Sequence, residues 1–104
     1  MDLASSPEIK RLETKLGVEL LWVFILSILK QKPSHAYTLR KKVEEKFGFL
    51  PGNVSAYVVL YKLESRGFVS TKKDANKVVY TITQSGQKLL EMAKKRLAEK
   101  TSSL

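Results

Sequence analysis

Cysteine is absent from the 104-residue chain, and histidine occurs once, at His35. The first absence excludes a disulfide framework, thiolate catalysis and the common structural zinc sites. The second leaves no cluster from which to build a metal site, so neither a metal nor another cofactor is expected. No glycine-rich loop precedes a helix to cradle a nucleotide, and Glu44 and Glu45 are helix neighbours that do not face each other as an acid and base would. An enzyme is therefore the class with least support. Long apolar runs are missing too. The longest, VELLWVFILSIL from Val18 to Leu29, is broken by Glu19 and Ser27 and is far shorter than the roughly 20 residues of a bilayer span. The first seven residues lack a basic stretch leading into an apolar core and a small-residue cleavage site. A cytoplasmic protein without a membrane anchor is the expectation.

What the chain has in excess is positive charge. Nineteen Lys and Arg stand against ten Asp and Glu, a formal net charge of +9. A field of that sign concentrates polyanions, and double-stranded DNA is the first partner to consider. A chain of this length has room for one core. The expected organisation is a disordered 1–7, a single domain over 8–100 and a frayed tail over 101–104, with no internal repeat and no low-complexity segment.

Hydrophobic spacing resolves that domain into elements. Ile9, Leu12, Leu16, Leu20 and Val23 recur at three and four residues, and the segment then turns apolar on all sides to Leu29. One long helix is predicted, with one face on the domain and another on a partner chain; the alternative is a central core helix of a monomer. Pro33 ends it, and Ser34 is the expected cap of a second helix over His35 to Phe47, carrying Ala36, Leu39, Val43 and Phe47 inward and Arg40 among the outward residues. After the turn FLPG, Asn53 is the expected cap of a third helix reaching Arg66, with Ala56, Val59, Leu60 and Leu63 on its inner face. Beyond Gly67 the period changes to two: 68–73 and 78–82 predict a hairpin around Asp74-Ala75-Asn76-Lys77. Thr83 then caps a last helix with Leu89, Leu90, Met92, Ala93 and Leu97 on one stripe.

The predicted fold class is α+β, mainly α: a winged helix-turn-helix flanked by N- and C-terminal dimerisation helices. In that arrangement the third helix enters the major groove and the basic hairpin meets the flanking backbone. Candidate DNA contacts are His35 and Tyr37 at the start of the second helix, Asn53, Val54, Ser55, Tyr57, Val58, Tyr61 and Lys62 on the third, and Lys72, Lys73 and Lys77 at the hairpin tip. Candidate dimer contacts are Leu12, Leu16, Leu20, Trp22, Val23, Leu90 and Leu97.

Three stretches, ILSILKQKPSHAYTLRKKVEEKFGF, YVVLYKLESRGFVSTK and VVYTITQSGQKLLE, also resemble the PadR-type transcriptional regulators. His35, Tyr37, Tyr57, Leu60, Leu63, Glu64, Gly67, Tyr80, Thr83 and Gly86 stand where that family's pattern has them. The chain departs from it at Ala36, at Val58 and in the Val54-Ser55-Ala56 start of the third helix, and its last helix is short. The resemblance implies a dimeric repressor that pairs through its terminal helices. The aromatic-ligand sensing tied to a tryptophan in the last helix is not implied here, since that helix has none. The leading reading is a homodimeric, sequence-specific DNA-binding transcriptional regulator, with an unidentified small-molecule effector as a further partner. Two others stay open: an architectural DNA-binding protein with little base discrimination, and a winged-helix module for protein or RNA.

Overall fold

A computed structural model describes residues 2–104. Five helices and three short strands follow in the order α1 (Pro7–Glu19), α2 (Leu21–Gln31), β1 (Ser34–His35), α3 (Ala36–Phe47), α4 (Asn53–Ser65), β2 (Val69–Asp74), β3 (Lys77–Ile82) and α5 (Gln84–Ser102). The chain start is more ordered than its composition suggests. Met1 lies outside the described residues, but Leu3–Ser5 form a 3-10 turn, and Ser6 caps α1 by accepting the Ile9 N–H, with Pro7 as the first helical residue. Residues 101 and 102 likewise continue α5.

The predicted first helix is two. It breaks at Leu20, whose backbone (φ −95°, ψ 7°) leaves helical geometry, although the Leu20 N–H still reaches the Leu16 carbonyl and the Phe24 N–H the Leu20 carbonyl. The apolar second half, α2, is the central helix of the domain. Packed on it are α1, α3, α4, α5 and β3. Leu21, Val23, Ile25, Leu26, Ile28 and Leu29 are buried there, and Phe24 stacks on Phe47 with ring centroids 4.1 Å apart. Its own chain therefore surrounds it, and no partner is needed to explain its composition.

The turn after α2 also differs from expectation. Ser34 does not cap α3: its hydroxyl donates to the Lys32 carbonyl, and His35 holds the cap position without a side-chain bond. Ser34 and His35 instead pair with Tyr80 and Val79, adding a third strand to the hairpin in the order β1-β3-β2. The cap of α4 shifts by one residue, with Gly52 at the cap and Asn53 inside the helix.

The glycine stops do fall where the sequence puts them. Gly48 ends α3 at φ 70°, and Gly67 follows α4 at φ 82°, letting the Phe68 N–H bond back to the Leu63 carbonyl at 2.9 Å. That close is locked to the next element. The Thr83 hydroxyl donates to the Gly67 carbonyl at 2.6 Å while accepting the Gly86 N–H, so one side chain caps α5 and holds the end of α4. The elongated extents, 52 × 27 × 20 Å, reflect α5 running on past the core: beyond Ala93 every residue on it is exposed, Leu97 at 38%.

Candidate nucleic-acid interface

The helix-turn-helix is formed by α3, the turn 48–52 and α4. Ala56, Leu60 and Leu63 of α4 are buried, the two leucines in one cluster with Leu39, Val43 and α2, which fixes the rotation of the helix and turns the other residues outward. Arg40, placed among the outward residues by the sequence pattern, sets the spacing of the two helices. Its Nε–H donates to the Pro51 carbonyl at 3.1 Å, tying the middle of α3 to the residue before the α4 cap. Pro51 is itself fully buried.

Outward on α4 run Val54, Val58 and Tyr61 in one stripe, with Tyr57 beside it; these four side chains are 76%, 45%, 70% and 51% exposed. Ser55 and Lys62 flank the stripe on the side facing α1, and Asn53 lies with Tyr57 on the side facing the wing. Such exposure of two valines and two tyrosines on one helix face suits a surface that is covered in use.

The β2–β3 wing is held to this helix by a side-chain bond. Thr71 of β2 donates to a Glu64 oxygen of α4 at 2.6 Å, so the wing does not hinge freely about Gly67. Strand register then sorts the wing cations. Lys73 pairs with Val78 and shares the sheet face of Thr71 and Tyr80, the face toward α4, whereas Lys72, Asp74 and Lys77 lie on the other face. Lys77 sits directly opposite Asp74, whose carboxylate offsets part of its charge. The three predicted wing contacts are thus not one cluster.

A cleft of about 460 Å³ opens between wing and helices, lined by His35, Tyr37, Tyr57, Asn76, Lys77 and Tyr80 with their neighbours. Four of the sequence-predicted contacts, His35 of β1, Tyr37 of α3, Tyr57 of α4 and Lys77 at the turn end of β3, border it, from four separate elements. Tyr37 is largely exposed, with the Lys41 ammonium 5.9 Å from its ring centre. His35 is half-buried, and its Nε2 is turned inward without a hydrogen-bond partner. Burial, with Tyr57 and Glu64 adding smaller contributions, raises the Tyr80 phenol above its usual value, so it stays a neutral donor.

Among the proposed dimer contacts, Val23 and Leu90 are core residues of the single chain, at 7% and 2% exposure, because α2 and α5 pack directly on each other. Leu20 and Trp22 are half-buried, and Leu12, Leu16 and Leu97 are exposed. No helix among the described residues is long and apolar enough to cross a membrane, and no group of three potential metal ligands occurs among them.

The family model of the PadR-like transcriptional regulators matches residues 25–92, from the middle of α2 into α5. The chain belongs to this family. A transcriptional regulator from Thermoplasma acidophilum is 29% identical, with a TM-score of 0.66 over 86% of this chain and 96% of that one. A PadR-like regulator from Bacillus cereus has the same fold at 22% identity, with a TM-score of 0.75 over 86% of this chain and 91% of the other. Bacillus subtilis PadR, solved in complex with operator DNA, is 25% identical with a TM-score of 0.62; the match covers 69% of this chain and 45% of that protein. No curated protein sequence matches the chain.

Within this PadR-like chain the family-pattern residues have separable structural duties. Leu60 and Leu63 seat α4, Glu64 ties it to the wing, Gly67 and Thr83 form the joint to α5, and Tyr80 lines the cleft. Sequence reading gave Arg40 no role in the site and gave Thr71 none at all. Both act through side-chain contacts between elements, 11 and 7 residues apart, which helix or strand periodicity does not register.

Proposed function

We propose that the chain is a homodimeric, sequence-specific duplex-DNA-binding transcriptional repressor, with α4 in the major groove and the wing on the flanking backbone. The observation that carries this reading is the Glu64–Thr71 bond, which fixes the exposed face of α4 and the Lys73 side of the wing as one surface. On a chain of charge +9, such a surface suits one groove and its adjacent phosphates. The operator complex of Bacillus subtilis PadR supports the same use of the fold.

Two under-packed terminal helices support the dimer. Only Gly17 is buried on α1, and only Gly86 and Leu90 on α5, and Leu12, Leu16 and Leu97 keep 50%, 42% and 38% of their surface exposed. Helices of this kind are stabilised mainly by packing, and a second copy supplies it. For a small-molecule effector, the recess of about 400 Å³ bounded by Val18, Trp22, Val59, Arg66 and Leu89 is the best-placed site, since it touches α1 and α4 together.

Selection of random duplexes by the purified protein at about 150 mM salt, where purely electrostatic binding is weakened, tests the proposal. A two-fold symmetric motif is expected. Retained duplex with no motif replaces the proposal with an architectural role, and no retained duplex redirects it to a protein or RNA partner.

A further inference from the structure

The central stripe on the outer face of α4 lacks the groups that read purines. Arginine and lysine recognise guanine, and asparagine and glutamine recognise adenine, through paired hydrogen bonds. The segment NVSAYVVLYKLES holds no arginine and no glutamine; its one amide, Asn53, sits in the first turn, and Lys62 lies off the central stripe. The stripe itself offers the methyl groups of Val54 and Val58, four residues apart, and then the ring of Tyr61. Among base edges in the major groove, only the thymine C5 methyl is an apolar partner for such groups.

Charge decides which kind of partner would cover this stripe. An apolar face on a neutral domain would suit another protein, but here Lys62 flanks it on the same helix and the whole chain carries +9. The complementary surface is polyanionic with exposed methyl groups, a description that fits thymines in a duplex groove. Resting on the DNA-binding reading above, we propose that Val54 and Val58 select thymine by contact with its C5 methyl group. Four helical residues advance about 6 Å, close to two base-pair steps, so each half-site carries thymines about two steps apart, on either strand.

The test replaces thymine by deoxyuridine, one position at a time, in the duplex selected by the wild-type protein. Watson–Crick pairing is kept and only the methyl group is lost. Affinity should fall about fourfold at the contacted positions, the change expected for losing burial of one methyl-sized group. In Val54→Ala and Val58→Ala, both exposed positions on a formed helix, that discrimination should vanish at the matching position while binding of the uracil duplex persists. Equal affinity for thymine and uracil at every position overturns the inference and leaves DNA binding standing. A selected motif without thymine overturns it in the same way. Failure to bind any duplex overturns the DNA-binding reading and the inference with it.

Discussion

Replacing Gly86 by alanine should destabilise the protein, against the usual helix preference. Gly86 is buried in the first turn of α5, a position where alanine ordinarily gains up to about 1 kcal/mol over glycine. Here a Cβ would collide with the Phe68 carbonyl oxygen and lie 2.8 Å from Ile82 Cγ1. The isoleucine can rotate, but the carbonyl cannot. It accepts the Thr83 N–H at 3.1 Å, the Phe68 N–H is bound to the Leu63 carbonyl, and Thr83 holds the adjacent Gly67 carbonyl. To make room, α5 must shift and strain its Thr83 cap. Overpacking costs about 1–3 kcal/mol and a weakened cap about 1 kcal/mol, leaving a net loss of about 2 kcal/mol after the propensity gain. For a domain of this size that lowers Tm by about 8–16 °C. Thermal unfolding followed by circular dichroism, at one fixed protein concentration because the Tm of a dimer depends on concentration, measures it. A variant as stable as the parent, or more so, would refute the rigid joint between α4 and α5.

Four other outcomes follow from the same geometry. Lys73→Ala should lower the slope of log affinity against log salt by about 0.9, the amount for one phosphate contact, while Lys72→Ala on the far sheet face should leave it nearly unchanged; titrations at several salt concentrations compare them. Leu16→Glu and Leu97→Glu, at exposed positions, should shift sedimentation from dimer to monomer without loss of helical signal. Ala75→Gly should raise Tm, because Ala75 holds φ 57° at the hairpin turn, where a Cβ costs about 1–2 kcal/mol; an unchanged or lower Tm would count against strain there. Glu91 hydrogen-bonds Lys30 at 3.0 Å, which with the charges of Lys30 and Lys94 lowers its pKa below the ordinary 4.5. Its stabilising contribution is therefore fully present above about pH 4.5 and is lost as pH falls through the depressed folded value, so Glu91→Gln should flatten that part of the acid-unfolding profile.

How much of this was legible in the sequence depended on how local the cause was. Gly48 and Gly67 as helix stops, Thr83 as a cap and the alternation of β2 and β3 all act over a few residues, and each was visible. The break at Leu20 was not, since neither proline nor glycine stands at it and the apolar spacing continues across it. Ser34 and His35 looked like a helix start because a two-residue strand has no period; only Val79 and Tyr80 across the sheet make it one. The Ser6-Pro7 start signal was present in the sequence and was outweighed by the polar composition around it. For the interface, residue types on α4 could be named from spacing, but the assignment of Lys73 and Lys72 to opposite faces required the β2–β3 register. Val23 and Leu90 were assigned to a dimer seam because periodicity marks an apolar face without saying which chain covers it.

The proposed function requires α4 and the wing to form one DNA-binding surface. Amide chemical shifts of the labelled protein, followed during titration with the selected duplex, test this directly. The largest changes are predicted at 34–37, 52–62 and 72–78, with α1 and the second half of α5 nearly silent. Changes centred on α1 or α5, with α4 unaffected, would contradict it.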